Sequence, residues 1–387
     1  MQGGNEMRRL VTSLLMVTLL AAVTVPAAAQ SPTSTEELLS GMVTEEVEPG
    51  VFRVVNDGVR TLEPGSYLDL VAGHDGGIWL TRQDGFFRLG SDDVHEWPSE
   101  RGDLPWDDGD GTPPWHDFEV TADGTAWAAM AIETDTGPEY GPSEGDPYLL
   151  SYDGSEWASR VPTYLLDGPF EVASDGTLWA VWLTDSADYD SGVFGYLGAD
   201  GWKAVGEWPY LGSSPYVSDE GDVWAFGGAQ MMDLAVHHYI DGAWRDDGPS
   251  SHGPADVGSD GTVWAIGSDG GVFLRFDGTD WTTYAGPRGS AVENESYDDL
   301  WGPSWSDVRV APDGSIWAAA MRGWNSREEP ICSQGLAGVV HFDGVTWSRY
   351  LSDLCVDGMD IAADGSLWVL ADDNLYVITP EAASVTE

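Results

Sequence analysis

Basic residues are scarce in this chain. Only 16 of its 387 residues are Lys or Arg, against 66 Asp and Glu, and Lys203 is the sole lysine. The resulting formal charge of −50 repels phosphate backbones and anionic lipid, so no nucleic-acid partner is expected. Cysteine is nearly absent, with Cys332 and Cys355 the only two, and no Cys/His group has zinc spacing. No His-Glu-x-x-His occurs either, which removes the commonest zinc-hydrolase signature. Beyond residue 30 no apolar run approaches the roughly eighteen residues of a membrane span. Amphipathic helical spacing is also missing, apart from one turn that Leu38, Leu39 and Met42 could form.

The first thirty residues carry an address. Met7-Arg8-Arg9 is basic, Leu10 to Val23 is apolar, and Ala27-Ala28-Ala29 precedes Gln30, the pattern of a Sec-type signal peptide cleaved after residue 29. A secreted protein, extracellular or periplasmic, is therefore expected, with no lipid anchor because no Cys follows the apolar run. Twenty Trp, fourteen Tyr and ten Phe are too much aromatic surface for a chain that stays disordered. The acidity has two readings. One is solubility in a salty medium that screens self-repulsion. The other is a set of carboxylate sites for a hard cation, which leaves Ca²⁺ as the one cofactor to consider.

The organising unit is a double hairpin. Val310-Ala-Pro-Asp-Gly-Ser-Ile-Trp-Ala-Ala-Ala320 reads as a strand, an Asp-Gly turn and a strand opening on Trp317. Gly338 to Tyr350 repeats it around Asp343-Gly344, with Trp347 on the far strand. Asp-Gly between short apolar runs predicts a tight hairpin, because both residues tolerate positive φ. The first hairpin recurs at Asp75, Asp123, Asp175, Asp260, Asp313 and Asp364, with Glu220-Gly221-Asp222-Val223-Trp224 as a variant. Seven copies at about 48-residue spacing lie in the range of propeller blades. The last copy runs out after Leu375-Tyr376-Val377-Ile378, and Val51-Phe52-Arg53-Val54-Val55 precedes the first full repeat. A seventh blade built from both termini would close the ring and remove exposed strand edges.

These residues predict an all-β, seven-bladed β-propeller over residues 51–380, with four-stranded antiparallel blades. A flexible acidic leader is expected over 30–50 and a polar tail over 381–387. The signature Trp residues should be plates between blades, with each indole N–H finding a backbone acceptor. Each turn Asp should cap its own backbone.

The Asp-Gly-x-x-Trp hairpin followed by Phe-Asp-Gly-x-x-Trp resembles the repeat of bacterial extracytoplasmic β-propellers. It is similar to two-component-regulator propeller repeats and, more loosely, to the streptogramin-lyase group, over about Gly50 to Pro380. The lyase likeness implies a catalytic His and metal-binding carboxylates at one mouth of the ring, and no residues here match those one by one. Ser218-Asp-Glu-Gly-Asp-Val-Trp224 is the only copy near a sialidase-type Asp box.

Strand order puts every Asp-Gly turn on one face of the ring and every long segment on the other: Pro98–Pro114, Ile132–Pro147, Leu183–Ser191, Gly227–Leu234, Ala285–Ser304 and Arg322–Leu336. Long loops on a rigid scaffold are where binding resides. Trp106, Tyr140, Tyr189, Tyr297, Trp301 and Trp324 lie there, with Trp182 where the third-blade loop begins. Aromatics among carboxylates suit sugars, though such side chains also pin loops to a scaffold. Asp185, Asp188 and Asp190 offer a Ca²⁺ loop without the full EF-hand spacing.

Four residues before each turn signature, Glu119, Glu171, Asp256, Arg309 and Asp360 join Val71 and Tyr216 at equivalent positions, a ring around the axis. It could hold a cationic group or simply be solvated. Gly141-Pro-Ser-Glu-Gly145 has the letters of a nucleophile elbow but sits in a loop. The even cysteine pair of an exported chain predicts a Cys332–Cys355 disulfide. The reading is thus a monomeric, non-catalytic binding or interaction module for a small-molecule, glycan or protein ligand. The alternative is a metal-assisted lyase or hydrolase at the loop-bearing mouth.

Overall fold

A computed structural model describes residues 34–62, 69–82, 85–97, 115–130, 148–159, 170–173, 176–183, 192–198, 201–208, 215–218, 222–226, 236–246, 248–267, 271–287, 305, 307–320 and 337–380. Seven antiparallel sheets form a seven-bladed β-propeller. Six have four strands in chain order, and they are numbered here as blades one to six from Asp69–Ala72 onward. Blade seven is assembled from both ends. Its inner strands are Val356–Ile361, Leu367–Ala371 and Asn374–Ile378, and Val51–Asn56 pairs outside them, with Val54 opposite Leu375.

The acidic leader expected over 30–50 is structured from Ser34 onward, and blade seven has five strands instead of four. Thr35–Ser40 is a short helix, capped by the Ser34 hydroxyl accepting the Glu37 N–H. Val43–Glu48 then pairs antiparallel with Val51–Asn56 as an outermost fifth strand. Pro49-Gly50 makes the turn between them, with Gly50 at φ 70°, where a side chain would be strained. Leu38, Leu39 and Met42 pack on the core between blades seven and one. The helix is also tethered, since the Thr35 backbone N–H and hydroxyl both donate to the Asp364 carboxylate, at 2.5 and 3.1 Å.

The turn chemistry follows the sequence, with one correction. Asp75, Asp123, Asp260, Asp313 and Asp364 each accept the N–H two residues on, at 2.9–3.0 Å. Only the glycine takes positive φ in these turns, from 74° at Gly76 to 85° at Gly365. Gly124 N–H bonds Thr121 C=O and Thr121 N–H bonds Thr125 C=O, so the loop is a type I turn followed by a left-handed glycine. Two-residue turns with both φ positive occur instead at Asp241-Gly242 and at Asp372-Asp373.

Seven apolar clusters fill the seven gaps between blades, and alternate residues of each second strand face opposite gaps. Ile316 and Ala318 pack toward blade five, while Trp317 and Ala319 pack toward blade seven. A strand between two neighbours is therefore apolar throughout, and Ile316–Ala319 is buried at every position. Trp224, Trp264, Trp317 and Trp368 are at most 2% exposed, as the plate reading requires. The expected backbone acceptor is missing for three of the signature indoles: Trp127, Trp264 and Trp368 have no partner among the described residues. Three outer-strand indoles do find one, each across a gap, whereas Trp281 of blade five has none among the described residues. Trp157, Trp244 and Trp347 donate to the Glu96, Glu207 and Ala285 carbonyls of the preceding blade.

Candidate functional site

The innermost strands converge on the axis, and the residue four before each turn signature stands there. The structure brings these residues together as a chain of staples. The Glu171 carboxylate in blade three accepts the Val217 N–H of blade four at 3.3 Å. The Tyr216 hydroxyl of blade four meets the backbone of Ala255 in blade five. The Asp256 carboxylate of blade five accepts the Val310 N–H of blade six at 2.6 Å and its neighbour Val257 N–H at 2.8 Å. Arg309 of blade six reaches Asp360 of blade seven, Nε to Oδ1 at 3.4 Å. Asp360 in turn accepts the Ala72 N–H of blade one at 2.7 Å and the Ile361 N–H at 2.9 Å. Five consecutive interfaces are thus bridged by one position of the repeat. Val71 breaks the polar chain, joining the apolar cluster between blades one and two. A merely solvated ring is not what forms.

A second layer of acids lies two residues earlier on the same strands, where the pleat returns to the same face. Asp307 contacts the Arg309 guanidinium, Oδ1 to Nη1 at 3.1 Å. Asp69 occupies the equivalent position in blade one, and Asp357 precedes a bulge in blade seven. Together with Glu119, Asp360 and Arg309 they line a cavity of about 140 Å³. Asp69 and Asp307 open their strands and Asp357 is second in its own, so the cavity lies at the end nearest the blade-to-blade crossings, opposite the Asp-Gly turns. The sequence analysis missed Asp69, Asp307 and Asp357. The period-2 rule applied to Val71 and Arg309 would have found the first two.

The electrostatics follow from burial. Asp307 is pushed up to about 7, first by burial and then by the Asp360 and Asp256 charges, with Arg309 opposing. Asp69 and Asp256 are each raised to about 6, again chiefly by burial. Burial disfavours the Arg309 charge as well, but Asp307, Asp360 and Asp256 outweigh it and hold the guanidinium more firmly protonated than usual. Tyr216 is raised by burial and stays neutral.

Trp182 packs beside Trp202, ring centroids 5.4 Å apart, in the gap between blades two and three, which gives it a packing role. Trp106, Tyr140, Tyr189, Tyr297, Trp301, Trp324 and Cys332 lie outside the described residues, as do Asp185, Asp188, Asp190 and the 141–145 loop. Cys355 ends the crossing into blade seven, its carbonyl accepting the Asp372 N–H at 2.9 Å. Both adjacent histidines of blade four are buried, and His238 stacks on Trp224 with ring centroids 3.7 Å apart.

The fold is that of known propellers. A streptogramin B lyase structure aligns at a TM-score of 0.51 and 14% identity, covering 82% of this chain and 94% of that one. Virginiamycin B lyase from Staphylococcus aureus aligns at 0.50 and 13%, covering 81% and 94%. YCF48 from Cyanidioschyzon merolae aligns at 0.48 and 15%, covering 84% and 98%. At such identities the likeness defines a fold. No protein-family profile matches the chain, and no curated protein matches it.

Proposed function

We propose that the chain is an exported, monomeric binding propeller whose ligand docks at the end of the ring where the inner strands begin. The axial cavity carries this reading. At about 140 Å³ it is smaller than a typical small-molecule pocket and sized for one polar group of a larger ligand. Asp69, Glu119, Asp307, Asp357 and Asp360 supply oxygen acceptors, and Arg309 supplies a donor. A hydroxylated or ammonium-bearing molecule matches that inventory. Around it, Trp106, Tyr140, Tyr189, Tyr297, Trp301 and Trp324 would add stacking planes for the CH faces of a sugar. On this reading the regulator-type repeat serves as a ligand-sensing surface. Ca²⁺ enters as an addition to test, through Asp185, Asp188 and Asp190.

The lyase fold neighbours motivate a metal-assisted reaction as the competing reading. The described residues do not fit it. No three His, Cys, Asp or Glu side chains among them are grouped to hold a metal ion. The axial carboxylates are spread around the ring and tied to backbone N–H groups and Arg309. No step is derived through a metal here.

The test is a glycan and small-ammonium binding screen on residues 30–387, with and without Ca²⁺, repeated on Trp301→Ala and Trp324→Ala. Saturable binding that weakens in both variants at unchanged Tm is expected. Unchanged binding with a collapsed Tm would assign those residues to the scaffold and remove the reading.

A further inference from the structure

Among the described residues, the axial cluster holds more carboxylates than Arg309, its one guanidinium, can balance. On its own strand Arg309 faces Asp307, and from blade seven it faces Asp360. Asp256 of blade five and Tyr216 of blade four act on it from the other side. Across the cavity stand Asp69 of blade one, Glu119 of blade two and Asp357 of blade seven. Asp307, Asp360, Asp256 and Asp69, gathered about Arg309 in a partly dehydrated site, cannot all ionise without strong mutual repulsion.

Geometry indicates where the proton resides. Asp256 and Asp360 each accept two backbone N–H groups, one of them from the next blade, and such bonds favour the carboxylate form. Asp307 is the least exposed of these carboxylates, at 6%, and Arg309 is its main ionic partner.

We propose that the Arg309 cluster is a proton-loaded latch on the ring: Asp307 carries a proton while blades five, six, seven and one are drawn tightly to the axis. Loss of that proton leaves an unbalanced charge among the staples and loosens the axial end. The raised positions of Asp307, near 7, and of Asp69 and Asp256, near 6, agree with this. The sign is fixed by linkage. These groups ionise near 3.9 in an unfolded chain, so the folded state binds more protons between that pH and about 7. The stability they contribute is complete below about pH 4 and is lost as pH rises through 6 to 7. The latch acts without ligand and stands apart from the binding reading.

The experiment is thermal unfolding of ligand-free residues 30–387 from pH 5 to pH 8 at fixed high ionic strength. Wild type is compared with Asp307→Asn and with Asp153→Asn, an exposed turn carboxylate that removes the same charge far from the axis. Asn mimics the protonated acid, so the Tm advantage of Asp307→Asn over wild type should grow from pH 5 to about pH 7 and level off above it, giving the variant the flatter profile. Asp153→Asn should run parallel to wild type. Carboxyl ¹³C shifts of the folded wild-type protein should include an aspartate titrating near neutrality, a readout that needs no variant. Parallel profiles for wild type and Asp307→Asn, or carboxyls that all titrate below pH 5, would overturn the latch.

Discussion

Arg309 Nε in blade six lies 3.4 Å from Asp360 Oδ1, and the other oxygen of Asp360 accepts the Ala72 N–H of blade one at 2.7 Å. One carboxylate therefore ties together the last full repeat, the composite blade and the first blade. This is where the ring closes, and where a propeller made from a linear chain is most exposed to opening.

Asp360→Ala should accordingly cost about 3 kcal/mol, since it removes one carboxylate partner of Arg309 and leaves two backbone N–H groups unpaired in a partly buried site. Asp360→Asn, which keeps an acceptor oxygen, should cost clearly less. Urea unfolding of both variants measures the difference. Equal losses, or a loss for Ala within about 0.5 kcal/mol of zero, would show that the apolar gaps alone hold the ring closed.

The N-terminal segment gives a second prediction. Its sequence, rich in Glu with two exposed valines, reads as a solvated leader whose removal is harmless. The structure assigns it a capped helix, a fifth strand and an anchor on Asp364. Deleting residues 30–50 should lower Tm measurably and leave the Val51–Asn56 strand as an unprotected edge, seen as concentration-dependent association in sedimentation. Extending the deletion through Asn56 should be worse, because Val51 and Val54 are buried in the cores on either side of blade seven. A 30–50 deletion as stable and monomeric as the parent would show that the segment merely decorates the ring.

These two cases mark what was legible in the sequence. The ring was readable because Asp-Gly and Trp act locally. The turn Asp accepts an N–H two residues away, and the Trp fills the gap beside its own strand, so each copy carries its own signal. The fifth strand was not readable, because Val43–Glu48 buries no position fully and owes its existence to a neighbour already in place. The equivalence of Glu119, Glu171, Asp256, Arg309 and Asp360 was visible from spacing. What they do was hidden, because their partners include backbone N–H groups of another blade, which no side-chain pattern announces. The proposed binding surface draws on aromatics of the long segments, which lie outside the described residues.

The last prediction concerns Cys332 and Cys355, the only cysteines in the chain. An exported protein with one even pair is expected to oxidise it. Cys355 ends the crossing from blade six into blade seven, one residue before the strand Val356–Ile361 that carries Asp357 and Asp360. In the sequence Cys332 falls between the strands Ile316–Ala319 and Val339–Phe342, outside the described residues. No free cysteine stands among the described residues. A bridge would close a loop of about 23 residues, for which the chain-entropy argument gives on the order of 3 kcal/mol. It would also fix the start of the closing blade beside the Arg309 cluster, so reduction should act on the ring closure that Asp360 serves. Non-reducing peptide mapping should recover the two cysteines in one linked species, and reductant should lower Tm without other treatment. Two thiols titrating per chain in freshly purified protein would remove the bridge.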